Sequence, residues 1–150
     1  PAYCLRTTAS VVQDVGLKPQ NIVFEVTESD QARDLRHLKG ILAFYRNAGF
    51  QVALDDVGAG YSSLNLLAEV RPDYMKLDMD LARNIDTDDY KKNIVEHLMA
   101  IARSNGTKVV AEGIETEGER DWMTAHGADY MQGYLFARPA PADEVIARAA

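Results

Sequence analysis

Residues 51–60 read Gln51-Val52-Ala53-Leu54-Asp55-Asp56-Val57-Gly58-Ala59-Gly60. A short apolar run delivers two adjacent carboxylates and then a glycine-bearing turn. Val52, Ala53 and Leu54 are apolar at consecutive positions, which predicts a strand over Gln51–Leu54 covered on both faces, as strands of a parallel sheet are. Polar groups at the end of such a strand sit where parallel α/β folds gather their chemistry, on the rim of C-terminal strand ends.

The same arrangement recurs outward from this stretch. Strands are predicted over Ile22–Thr27, Tyr74–Leu77, Lys108–Ala111 and, more weakly, around Tyr130–Gln132. The first carries Glu25 and leads into Glu28. The second carries Lys76 and leads into Asp78. The third leads into Glu112, with Glu115 three residues on, and the last delivers Gln132 beside Gly133. Helical patterns fill the gaps: Tyr3–Val15, Gln31–Asn47, Ser62–Val70, Asp89–Ser104, Glu117–His126 and Pro141–Ala149, several stopping at glycine. Strand–helix alternation predicts βαβ units around a parallel sheet, with residues 1–150 forming one domain or part of one.

Composition bounds the function. The chain has 150 residues, 47% of them hydrophobic and 26% charged, as in ordinary globular proteins. A net charge of −7 argues against a sequence-independent grip on a DNA or RNA polymer, which needs clustered cations. It leaves room for a small anionic substrate, because cations held by carboxylates reverse the local sign. No apolar run reaches the roughly 20 residues of a membrane span. The single cysteine, Cys4, excludes an internal disulfide and suits a cytoplasmic setting. It reads as a helix core residue.

Taken singly, each carboxylate has a structural reading, as a helix N-cap or a turn residue. Five strands ending alike are hard to attribute to capping, and Glu25 lies within an apolar run where an unpaired charge is costly. Several carboxylates together call for cations, and oxygen ligands favour Mg²⁺ or Mn²⁺. An adjacent Asp pair suits two ions roughly 3.5–4 Å apart, the arrangement of phosphoester hydrolysis. The residues alone therefore point to a metal-dependent hydrolase or lyase. His37, His97 and His126 fall on helices away from the rim and read as surface or core-edge residues, and Trp122 reads as packing.

The motifs, in order, resemble those of EAL domains. Glu25-Val26-Thr27-Glu28 is similar to that family's ExTE segment, and Asp55–Leu64 to its DDFGTGYSSL stretch. Pro72–Asp78 is similar to PDYIKID, Ala111–Thr116 to AEGVET, and Gln132-Gly133-Tyr134 with Pro139 to the closing QGY…P. The resemblance implies a modified (βα)₈ TIM-like barrel that hydrolyses cyclic di-GMP to linear pGpG with two Mg²⁺ or Mn²⁺ ions. It implies Glu25, Asp55, Asp56, Glu112 and Gln132 as metal-site residues, and Lys76, Asp55, Asp56 and Glu115 as the groups handling the attacking water and the phosphate. Glu28 would anchor the glycine loop. A homodimer is a further expectation.

Two features depart from the pattern. Val57 and Ala59 stand where the family often has Phe and Thr. The Glu-Ala-Leu strand itself, and an Asn ligand on another early strand, have no counterpart in this sequence. The expectation is a partial barrel of five βα units from the C-terminal side. The alternative function is a cyclic-di-GMP receptor that binds without cleaving.

Overall fold

The structure, a computed structural model, describes residues 2–27, 35–59 and 63–149. In chain order its elements are α1 (Ala2–Asp14), β1 (Val23–Val26), α2 (Leu35–Asn47), β2 (Gln51–Val57) and α3 (Ser63–Val70). There follow β3 (Tyr74–Leu77), α4 (Met79–Ala82), α5 (Asp89–Asn105), β4 (Lys108–Ala111), α6 (Glu117–His126), β5 (Tyr130–Met131) and α7 (Ala142–Ala149). A short 3₁₀ turn, Pro19–Asn21, leads into β1.

The five strands are parallel and lie in sequence order, β1-β2-β3-β4-β5. All five predicted strands are present; Tyr74–Leu77 and Lys108–Ala111 keep their predicted ends and the other three are shifted. The largest shift is in β2, which continues beyond Leu54 to Val57 and so takes both aspartates into the strand. Its pairing with β3 slips between Leu54 and Val57, and Asp56 has φ of 55°. This is a β-bulge, and an αL conformation is uncommon outside glycine. The short helix α4 has no counterpart among the predicted helices. It spans one turn and is capped by Asp78, whose Oδ1 accepts from the Asp80 N–H at 2.8 Å.

The helices cover one face of the sheet. Val52, Leu54, Met75, Leu77, Val109 and Ala111 point to that side and are buried against Leu38, Leu42, Leu66, Val70, Val95, Leu98 and Met99. A smaller cluster of Val12, Tyr45 and Phe50 closes the α1 corner, where the Phe24 and Tyr45 rings stack with centroids 3.6 Å apart. The other face is only partly covered: Val23 is 39% and Tyr130 48% exposed. The expectation of strands buried on both faces therefore holds throughout on the helix side and, on the inner face, at Ala53. Glu25 is accordingly not buried in apolar surroundings; on the edge strand its side chain is 51% exposed.

Helix ends follow the sequence signals. Asp88 caps α5 and Thr116 caps α6 through a capping box with Glu119, while Gly106 and Gly127 close them in αL conformations. Trp122 stacks on His126, centroids 3.9 Å apart, and His97 is exposed. The Cys4 side chain lies outside what the structure describes.

Candidate metal centre

Side chains alternate along a strand, so Glu25 on β1, Asp55 on β2 and Lys76 on β3 share the inner face near the C-terminal rim. Two adjacent aspartates in a regular strand would point to opposite faces. The bulge at Asp56 removes that constraint, and one carboxylate oxygen from each of Asp55, Asp56 and Glu112 lies within 4.8 Å of the others.

Lys76 stands at the middle of the charges. Its Nζ is 2.9 Å from Glu25 Oε1, 2.8 Å from Asp55 Oδ1 and 2.9 Å from Glu112 Oε1, so one ammonium ties together three strand ends. Burial disfavours its charge, but the three carboxylates outweigh that and raise its pKa. The approach to Asp55 Oδ1 is an ion-pair contact out of line for a hydrogen bond, and this buried oxygen has no aligned donor. Burial raises the Glu112 carboxyl above its usual range, Asp55 and Glu25 add to that rise, and Lys76 opposes it. Burial, then the neighbouring Asp55 and Asp78, raises Asp56.

Four carboxylates (Glu25, Asp55, Asp56, Glu112) against one ammonium leave three negative charges when all are ionised. Uncompensated charge of this kind, together with a buried carboxylate oxygen lacking a donor, fits a divalent cation and an all-oxygen donor set. The donors present thus suit Mg²⁺ or Mn²⁺.

The remaining expected residues fall around this group in different ways. Gln132 sits just past β5 and its Nε2 donates to Glu112 Oε1, orienting that carboxylate. Its neighbour Gly133 is required by close approach: a Cβ there would meet Ile114 O at 2.1 Å. Glu115 is not in the carboxylate group. It pairs with both terminal guanidinium nitrogens of Arg83, one at 2.9 Å, and Arg83 holds its carboxyl below the usual range. Glu28 and Gly60 lie outside the described residues. Gly58 has φ of 109°, and a Cβ there would meet Leu81 Cδ1 at 2.2 Å, so only glycine fits between the bulge and α4.

Asp56, Glu112, Glu115 and Gln132 also line a cavity of about 580 Å³, with Asp78, Tyr134 and Arg138. Arg83, Tyr134 and Arg138 join the site without standing at a strand end. Arg138 lies over the Tyr134 ring at 4.3 Å, a pairing that only the fold past β5 creates. A larger groove of about 780 Å³ runs between α3 and α5 by Pro72 and Thr107, at the opposite strand ends, and no carboxylate lines it. Chemistry favours the smaller cavity.

A family model described as EAL domain matches residues 3–139. The chain is 36% identical over 130 residues to the probable cyclic di-GMP phosphodiesterase PdeB of Escherichia coli K12, covering 87% of this chain and 24% of that one. Among solved structures it resembles the manganese/cy-diGMP complex of Klebsiella pneumoniae BlrP1 at pH 9.0, with a TM-score of 0.85 and 36% identity over 91% of this chain and 35% of that one. It also resembles the EAL domain of Mycobacterium smegmatis DcpA, with a TM-score of 0.90 and 31% identity over 96% and 65%. The chain spans about a quarter of the length of PdeB. These likenesses bear out the expected partial barrel, and the chain belongs to the EAL domain family.

Proposed function

We propose that the complete domain containing this chain hydrolyses cyclic di-GMP to linear pGpG with two divalent ions, Mg²⁺ or Mn²⁺. The observation that carries the reading is the convergence of Asp55, Asp56 and Glu112 within 4.8 Å, beside Lys76. Relatives named as cyclic di-GMP phosphodiesterases and a solved relative holding manganese with the dinucleotide support it.

Asp55, Asp56, Glu112 and Glu25 would hold the ions, and Gln132 would fix Glu112 through its amide. When bound, the ions supply an ionised water near neutral pH and neutralise charge on the phosphate. Lys76 stays protonated among its carboxylates, so its part is to orient the attacking water and stabilise developing negative charge rather than to take a proton. Glu115, kept ionised by Arg83, flanks the cavity that would receive the dinucleotide.

Turnover of cyclic di-GMP by the complete domain in Mg²⁺ or Mn²⁺ tests this, with pGpG as the expected product. An uncut dinucleotide bound tightly without metal would instead make the domain a receptor and sink the proposal.

A further inference from the structure

Glu119 is the one charged side chain buried among the described residues, at 1% exposure. It lies on the first turn of α6, one step behind the metal centre, and the mechanism above gives it no part. Its carboxylate accepts three backbone N–H groups. Oε2 takes those of Glu115 at 2.8 Å and Thr116 at 3.0 Å, which belong to its own helix start. Oε1 takes that of Asn84 at 2.9 Å, from the segment after α4 and 35 positions away in sequence.

The two segments joined in this way both carry residues of the site. One runs from Asp78 through α4 to Arg83. The other runs from Glu112 to Thr116. Their contacts are close along the whole length. A Cβ on Gly113 would meet Met79 Cβ at 2.6 Å, and one on Gly118 would meet Asp86 Oδ2 at 2.4 Å. Asn84 takes φ of 57° at the point where its N–H reaches Glu119. The Arg83–Glu115 pair crosses the same seam. Burial alone would push the Glu119 carboxyl upward, but the three amides outweigh it and hold it below its usual range, so it is an anion at neutral pH.

We propose that Glu119 is a positioning residue that fastens the segment after β3 to the segment after β4, fixing Asp78 and Arg83 relative to Glu112 and Glu115. This rests on the functional reading above. The geometry explains why the cap is bidentate: one oxygen starts α6, and the other holds a loop from elsewhere in the chain.

The test uses Glu119→Gln in the complete domain. Its single oxygen can keep the Glu115 and Thr116 amides, but an amide nitrogen then faces the Asn84 N–H and that link opens. Hydrogen exchange is expected to show the Asn84 amide protected in the parent and exposed in the variant, with the Thr116 amide protected in both. Calorimetric Mn²⁺ affinity is expected to fall about tenfold, and kcat for cyclic di-GMP to fall by a similar factor with KM within about twofold, as for groups that orient metal ligands. Unprotected Asn84 in the parent, or an opened link with Mn²⁺ affinity unchanged, overturns the proposal. Absence of turnover in the parent would sink the hydrolase reading, and the exchange and Mn²⁺ arms would still decide this one.

Discussion

Two groups of carboxylates in this molecule have opposite environments. At the strand ends, Asp55, Asp56 and Glu112 crowd together on a half-open face; Asp55 and Glu112 share one lysine, and Asp56 and Glu112 are pushed toward the neutral form by burial and by neighbouring carboxylates. One turn into α6, Glu119 is more deeply buried yet is held as an anion by three backbone amides. The difference teaches where stability and function part. Glu119 is a charge whose hydrogen bonds are complete, so it holds structure together. The strand-end carboxylates outnumber the one lysine among them, so they are poised to accept a cation from outside.

The comparison breaks most visibly at Asp55. Asp55→Asn removes a donor and also relieves like-charge repulsion. Turnover by the complete domain should fall below detection, while the thermal midpoint of the metal-free protein holds or rises. A large drop in that midpoint would mean the carboxylates stabilise the fold after all.

Lys76→Met should do the reverse to stability. Removing the shared cation leaves three carboxylates unpaired. We expect a loss of about 2 kcal/mol in the metal-free protein by urea unfolding, and about a 10²-fold loss in kcat. Added Mn²⁺ should restore much of the stability but not the rate.

Glu119→Ala orphans three amides and should cost about 3 kcal/mol. Its pH dependence has a definite sign. A carboxyl lowered on folding contributes stability that is full above its unfolded value, near 4.5, and is lost as pH falls through the lower folded value. Chemical denaturation between neutral pH and about pH 3 should therefore show the parent losing stability faster on acidification than Glu119→Gln. Parallel curves would mean that Glu119 is not held below its usual range.

Lys39→Ala, at a solvent-exposed pair with Glu69, sets the scale for an ordinary surface charge. The expected change in unfolding free energy is below about 0.5 kcal/mol.

Much of the site was legible because strand-end placement is a local property. An apolar run followed by a carboxylate can be read at Leu54-Asp55 and Ala111-Glu112 without any tertiary knowledge, and the resulting residues do meet. The Thr116-x-x-Glu119 spacing also announces a capping box. Nothing in it announces the bond to Asn84, because the partner is a backbone N–H that every residue but proline possesses. The exposure of Glu25 departs from expectation for a related reason. An apolar sequence shows that a strand can be buried on both faces, while its place at the sheet edge decides how much of it is.

The sequence by itself determined the alternation of strands and helices, the parallel sheet, the family motifs and the identities of the ionisable groups at each strand end. These depend on periodicity and on residue chemistry, which act over a few neighbouring positions. The tertiary structure alone decided that β2 bulges so that adjacent aspartates act together, that Lys76 reaches three strands at once, that Glu115 is committed to Arg83, and that Glu119 joins two distant segments. Each of these is set by register and close approach between parts of the chain far apart in sequence, where a shift of one residue would turn the side chain to the other face.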